Sequence, residues 1–210
     1  MRAGQQMVND DGVQIALFPM EYMDISQGEN GTYSHQGTYN LDLLGYENGV
    51  RKYKCPYYAP CDCRVVYHAS YYNVWQSLSQ VITPSGKKTI CFVVMHDDTP
   101  PLMGTTKRQG EVIGHTGTND PGGMLTGDHL HLNTSLQSYS GWHKVPPDNQ
   151  WELINSSHVY DTFYVNDTTI LNGYGYNWRT YSGGITPGQL KKYKFKWVLY
   201  ANKLRNNRNV

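Results

Sequence analysis

Short apolar runs separated by turn residues dominate this chain, and helical periodicity is confined to its last stretch. Residues 13–23 form a first apolar stretch, broken by Gln14, Pro19, Glu21 and Tyr22, which reads as an entry strand before a polar turn around Gly28 and Gly31. Across residues 40–66 short strands alternate with turn signals at Gly45, Asn48-Gly49 and Ala59-Pro60. Asn48-Gly49 is the strongest hairpin cue, because both positions of the favoured two-residue turn need positive φ. Residues 73–83 and 88–96 flank Pro84-Ser85-Gly86, which predicts a tight turn between paired strands. After Pro100-Pro101 come residues 110–117, a Gly-rich loop to 127, and an alternating stretch from 129 to 136. Residues 137–163 read as loop and lid material, with Pro146-Pro147 interrupting regular structure. The one clear helix candidate is 187–206: Pro187 opens it, and Leu190, Tyr193, Trp197, Tyr200 and Leu204 recur at spacings of 3, 4, 3 and 4. No fixed-period repeat is present.

Composition narrows this pattern to a mainly β fold with an antiparallel sheet core. The 210 residues hold 21 Gly, 10 Pro and 18 Tyr against five Ala, a balance of strand and turn formers that excludes a helical bundle. Such a length allows one substantial domain, with or without an appendage. Charged residues are 17% of the chain, too few for charge repulsion to keep it unfolded. The longest purely apolar run, 90–95, is far shorter than the ~18 residues of a spanning helix. Asn9, Asp10 and Asp11 precede only a brief apolar stretch, so the start lacks the basic-then-apolar order of a secretory signal. Cys55, Cys61, Cys63 and Cys91 match no common zinc-ribbon spacing and are expected as reduced thiols, with Cys61 and Cys63 serving as small buried hydrophobes.

The net charge of +1 hides an asymmetry: residues 1–167 carry ten Lys/Arg and 17 Asp/Glu, and residues 168–210 carry eight Lys/Arg and no acid. The basic tail suits anionic wall polymers, nucleic acid or a neighbouring subunit, and charge alone does not choose among them.

Chemistry concentrates in two places. In Asp128-His129-Leu130-His131-Leu132 a strand sends both imidazoles to one face and both leucines to the other. Two such histidines suit a pair of metal ligands, or one ligand beside one acid/base group. In the segment 34–42, His35 and Asp42 flank a Gly-containing bend from which both could converge on one ion. A catalytic zinc site takes three protein ligands and leaves a fourth position open, and His35, Asp42 and His131 supply that count. No His-Glu-x-x-His occurs, so any proton acceptor must be another residue. The loop 117–127 lacks the Lys-Ser/Thr ending of a phosphate loop and reads as a cleft rim.

Taken in order, these segments resemble the M23 family of zinc metallopeptidases, the LytM and lysostaphin type that cuts peptide cross-bridges of bacterial peptidoglycan. Ser34-His35 with Asp42, Tyr58-Ala59-Pro60-Cys61-Asp62-Cys63-Arg64-Val65-Val66, Val93-Val94-Met95-His96, and Gly110 to Gly117 leading to Gly127-Asp128-His129-Leu130-His131 carry the likeness, over about residues 27–137. The resemblance implies a Zn2+ cofactor on His35, Asp42 and His131, with His96 and His129 as the catalytic residues that move protons and stabilise the transition state. Two departures stand out. Six residues separate His35 from Asp42 where the family usually has three, a longer loop similar to that of peptidase domains in podovirus tail-knob proteins. Cys63 also replaces a family glycine. Tyr33 and Tyr39 both flank the site, and neither is singled out as the transition-state tyrosine.

The implied organisation is a peptidase domain over residues 1–165 with long cleft loops, followed by an aromatic and basic extension over 166–210. Within the extension Tyr174, Tyr176 and Trp178 either stack on sugar rings or complete a core. Expected partners are peptidoglycan peptides and other phage tail proteins, with neither a membrane span nor nucleic acid. The expected location is a virion tail or, for a lysin freed from the host cell, the bacterial wall. A tail component that keeps the fold and binds walls without turnover is the alternative.

Overall fold

The computed structural model describes residues 1–183 apart from positions 124, 126 and 148, so the helix expected over 187–206 lies outside the described residues. The chain opens with β1 (Tyr22–Gln27), β2 (Leu41–Leu43), the hairpin of β3 (Tyr46–Glu47) and β4 (Val50–Arg51), then β5 (Pro56–Tyr58). There follow β6 (Cys63–Ala69), β7 (Tyr72–Ser77), the hairpin of β8 (Val81–Thr83) and β9 (Gly86–Lys88), and β10 (Cys91–Met95). The rest is β11 (Thr106–Lys107), β12 (Val112–His115), β13 (Leu130–Ser135), the hairpin of β14 (Trp142–Val145) and β15 (Gln150–Leu153), β16 (Ser156–Ser157), one short helix α1 (Val159–Thr162), and β17 (Thr169–Asn172).

One nine-stranded sheet in the order β11-β6-β7-β10-β13-β2-β1-β17, with β16 also on β13, organises the molecule. Its pairings are antiparallel except β1 with β17. The fold is therefore mainly β and antiparallel, as the turn-rich pattern implied.

Alternation along the central strands explains both layers. Phe92 and Val94 of β10, Leu130 and Leu132 of β13, Leu41 and Leu43 of β2 and Trp75 of β7 enter the main core on one face. Cys91 and Val93 turn to the other face, where Val74 and Leu153 join them beneath Trp142 and Tyr139. Both faces of β10 are thus covered, which accounts for its unbroken apolar run. Burying a side chain such as Phe92, which is fully inaccessible, contributes about 2 kcal/mol each time it is done.

The Asn48-Gly49 turn forms as expected, with φ of 51° and 79°, between β3 and β4. Pro84 and Ser85 turn the small β8/β9 hairpin, and β7 and β10 on either side of it pair with each other. Two stretches differ from expectation. Residues 13–20 are not a strand: Ile15 and Leu17 each make a single bridge, to Ile82 and Tyr164, while Ile15, Ala16, Leu17, Phe18 and Met20 all fill the interior. Pro19 carries no ladder donor, so a regular strand starts only at Tyr22. Residues 137–163, expected as loop, contain the β14/β15 hairpin, because Pro146 and Pro147 occupy its turn and leave the ladder intact. Beyond 165, β17 extends the main sheet, and Tyr176 and Trp178 pack on its core, with Phe18 edge-on to Trp178 at 5.5 Å.

Candidate metal centre

A single rung of the sheet lays out the site. Asp42 on β2 pairs with His131 on β13, His131 with Met95 on β10, and Met95 with Tyr72 on β7. Paired residues share a face, so this row runs across the side opposite the main core. Asp42 and His131 are neighbours through backbone register, and their contact, Nδ1 to Oδ1 at 3.0 Å, follows from it.

His35 arrives from a loop. Its backbone N–H donates to Gly31 O, and its Nδ1–H donates to Gly28 O at 3.1 Å. A carbonyl accepts only, so the proton sits on Nδ1 and the Nε2 lone pair faces inward. That atom is buried, lies 3.4 Å from Asp42 Oδ1 and has no hydrogen-bond partner. One ligand atom from each of His35, Asp42 and His131 lies within 4.8 Å of the others.

Two more imidazoles face the same point. His129 Nδ1–H donates to Gly127 O at 2.8 Å, which turns Nε2 to within 3.4 Å of Asp42 Oδ1. His96, just past β10, donates Nδ1–H to Asn119 O at 3.0 Å, and its ring centroid is 4.7 Å from that of His129 and 6.0 Å from that of His131. His96 has φ of 79°, a left-handed conformation that costs a non-glycine residue about 1 kcal/mol or more. Hydrogen bonds from its N–H to Tyr71 O and into its carbonyl from Asn119 N hold it there. Gly117 makes this possible: a Cβ at 117 would lie 2.1 Å from His96 O, and Gly117 also exchanges both backbone hydrogen bonds with His129.

The electrostatics suit a cation. Burial would raise the Asp42 carboxyl, but the contacts of His129, His131 and His35 outweigh it and hold the group well below the usual carboxylate range. Burial and the neighbouring charges of His131 and His129 push His96 down to about 4. His131 is lowered too, chiefly by burial, against the pull of Asp42. For His129 burial acts downward, and Asp42 reverses it to a net upward shift. An anionic carboxylate, two imidazoles lowered chiefly by burial, and a buried His35 Nε2 with no hydrogen-bond partner together fit a metal ion.

A cavity of about 650 Å³ opens above this cluster. Asp42, His96, His129 and His131 line it, along with Tyr33, Arg51 and Tyr53. Tyr33 is 73% exposed there, whereas Tyr39 stands edge-on to His158 at 4.5 Å and does not line it. His115 is exposed and lies outside the cavity lining. His68, His143 and His158 pair with Asn73, Glu152 and Glu29.

A search of protein-family models matches none to this chain. Morphogenesis protein 1 of Bacillus phage B103 is 42% identical over 175 residues, covering 80% of this chain and 45% of that protein. The chain thus spans less than half the length of this curated relative. Among solved structures, a zinc-containing peptidase from Vibrio cholerae is 19% identical, with 61% of this chain and 42% of that one covered and a TM-score of 0.39. Helicobacter pylori Csd3 is 16% identical, with 94% and 45% covered and a TM-score of 0.41.

Several supporting residues carry no sequence signal of their own. Buried Glu152 accepts from Tyr39 N at 2.5 Å and from Asn133 Nδ2 at 3.3 Å, and so clamps the long loop between His35 and Asp42. Buried Asp128 accepts from Thr116 Oγ1 at 2.6 Å and Lys54 N at 3.0 Å, fixing the strand entry before His129. Thr116 and Gly117 stand in the Gly-His-Thr-Gly run, so that run supports the rim through the Thr116 hydroxyl and the Gly117 backbone rather than through the His115 side chain. The four cysteines are buried free thiols, and burial pushes Cys91 up to about 12. Among the described residues no helix is long and apolar enough to cross a membrane.

Proposed function

We propose that this chain is a zinc-dependent endopeptidase that cuts peptide cross-links of bacterial peptidoglycan, acting as a phage virion-associated wall hydrolase. The observation that carries the reading is the buried, unpartnered His35 Nε2 facing Asp42 and His131. Two imidazoles and a carboxylate are a donor set of catalytic zinc, and a cavity over them leaves room for substrate. Zinc bound there supplies Lewis acidity, polarising a carbonyl and making water acidic enough to attack near neutral pH.

In this reading His35, Asp42 and His131 hold the ion. His129 Nε2, aimed at the same point, takes the proton from the attacking water and delivers it to the leaving amine. His96, beside His129 on the cavity wall and with Nδ1–H fixed on Asn119 O, positions the carbonyl oxygen as charge develops on it. Tyr33, on the open wall, is the tyrosine placed to contact a bound peptide. Residues 1–165 make up the peptidase unit, with its motif core in 27–137. Residues 166–210 are an extension whose first part, through Trp178, packs on that unit. The similarity to a phage morphogenesis protein supports a virion setting for this activity.

Digestion of purified peptidoglycan, with and without a chelator, tests the reading. New amino termini without new reducing sugars, lost on chelation and restored by zinc, are expected. His129→Ala is expected to keep its metal and lose about 100- to 10,000-fold in rate. Wall binding without cleavage by the zinc-loaded chain would instead leave a structural tail component.

A further inference from the structure

A second concavity, of about 370 Å³, continues the candidate centre along the same face of the sheet. Met95, His131 and Gln150 line both, so the two share a wall. The rung that joins Asp42 to His131 and Met95 continues to Tyr72, which lines this groove. Its sides are aromatic: Tyr72 stacks on Tyr67 at 5.7 Å with planes 18° apart and meets Trp142 edge-on at 5.5 Å, and Trp151 stands opposite on the β14/β15 hairpin. Trp151 is 53% and Tyr67 37% exposed. No Lys, Arg, Asp or Glu lines the groove among the described residues.

One further atom points to a ligand. Asn40, 1% exposed, lines the groove, and its Oδ1 is buried with no hydrogen-bond partner. A buried acceptor left unpaired costs about 1–3 kcal/mol, so a donor delivered to it is favoured. Exposed ring surface on Tyr67 and Trp151, the latter with Lys144 Nζ 5.1 Å from its centroid, and an amide acceptor beneath are together the chemistry that receives a sugar ring bearing an N–H.

We propose that this groove binds an N-acetylated pyranose of the glycan strand, its apolar face on the aromatics and its acetamido N–H on Asn40 Oδ1. The inference deepens the wall-hydrolase reading and rests on it for the choice of sugar. Sharing Met95, His131 and Gln150 with the larger cavity, the groove would hold the glycan next to the peptide being cut. Tyr176 and Trp178 are packed on the core, and neither they nor Tyr174 line this groove.

Titration of the full chain with chitotetraose in the presence of a chelator, followed by tryptophan fluorescence and by chemical-shift mapping, tests it. Saturable binding is expected, with shifts confined to the groove. Trp151→Ala and, independently, Tyr67→Ala should each weaken it about ten-fold or more, while Tyr174→Ala, outside the groove, leaves it unchanged. Cellotetraose, which lacks the acetamido group, should bind about ten-fold more weakly. Absence of binding at millimolar sugar, equal affinity in both aromatic variants, or capture of a sugar-free stem peptide in the groove overturns the inference. Because the metal is removed, these outcomes are independent of catalysis. Sugar binding without wall cleavage counts against the peptidase reading alone, and cleavage without sugar binding counts against the groove alone.

Discussion

Asp42 and His131 are held by the sheet, whereas His35, His96 and His129 are oriented from chain bends and loops, and the two groups owe their placement to different forces. The first pair is fixed by ladder register, where a slip would turn every core side chain of β2 and β13 outward. The rings of the second group are aimed by hydrogen bonds from Nδ1–H to the Gly28, Asn119 and Gly127 carbonyls, on backbones held by loop hydrogen bonds. Buried carboxylates and one glycine set those loops in turn. Sheet-borne positions should therefore withstand changes around them, and loop-borne positions should yield to changes that never touch the reacting atoms.

The largest effect should come from the sheet itself. Asp42→Ala removes the carboxylate that three histidines face, and wall hydrolysis should fall at least about a thousand-fold, with metal lost; each tenfold is about 1.4 kcal/mol of barrier. Unchanged clearing of a wall suspension by this variant would remove the carboxylate from the account.

Next comes the rim. Gly117→Ala forces a methyl against His96 O and disturbs both rim histidines at once. The expected result is a rate lowered about 100-fold with metal content kept, because the ligands stand on other elements. Full activity would show that the left-handed turn at His96 is not needed.

A smaller loss should follow from Glu152→Ala, which frees Tyr39 N and slackens the loop between His35 and Asp42. Zinc affinity, read by competition with a chelator, should drop about ten-fold. An unchanged affinity would mean that the loop holds His35 without this clamp.

How much of this could be read beforehand follows the same division. The central strands β2, β6, β7, β10 and β13, the Asn48-Gly49 hairpin and the two-faced character of Leu130, His131 and Leu132 announce themselves through period and turn chemistry, which are local. The β14/β15 hairpin was masked because Pro146-Pro147 looks like a break until the strands on either side are seen to pair. Residues 13–20 look like a strand because they are apolar, yet they fill the core without a ladder. Glu152 lies far along the chain from Tyr39, and nothing in its own neighbourhood marks it. The aromatic groove is likewise assembled from β7 and the distant β14/β15 hairpin, so only the tertiary structure brings Trp151 opposite Tyr72.

The smallest effect concerns the sheet interior. Cys61, Cys63 and Cys91 are at most 1% exposed, so a thiol reagent should leave them untouched in the folded protein and label them after unfolding. Rapid native labelling would show that the sheet opens readily.

Metal analysis of the chain purified under zinc-replete conditions tests the central claim most directly. One zinc per chain is expected, reduced to a trace in His35→Ala. Protein with no bound transition metal, or His35→Ala that retains a full equivalent, would contradict the centre built from His35, Asp42 and His131.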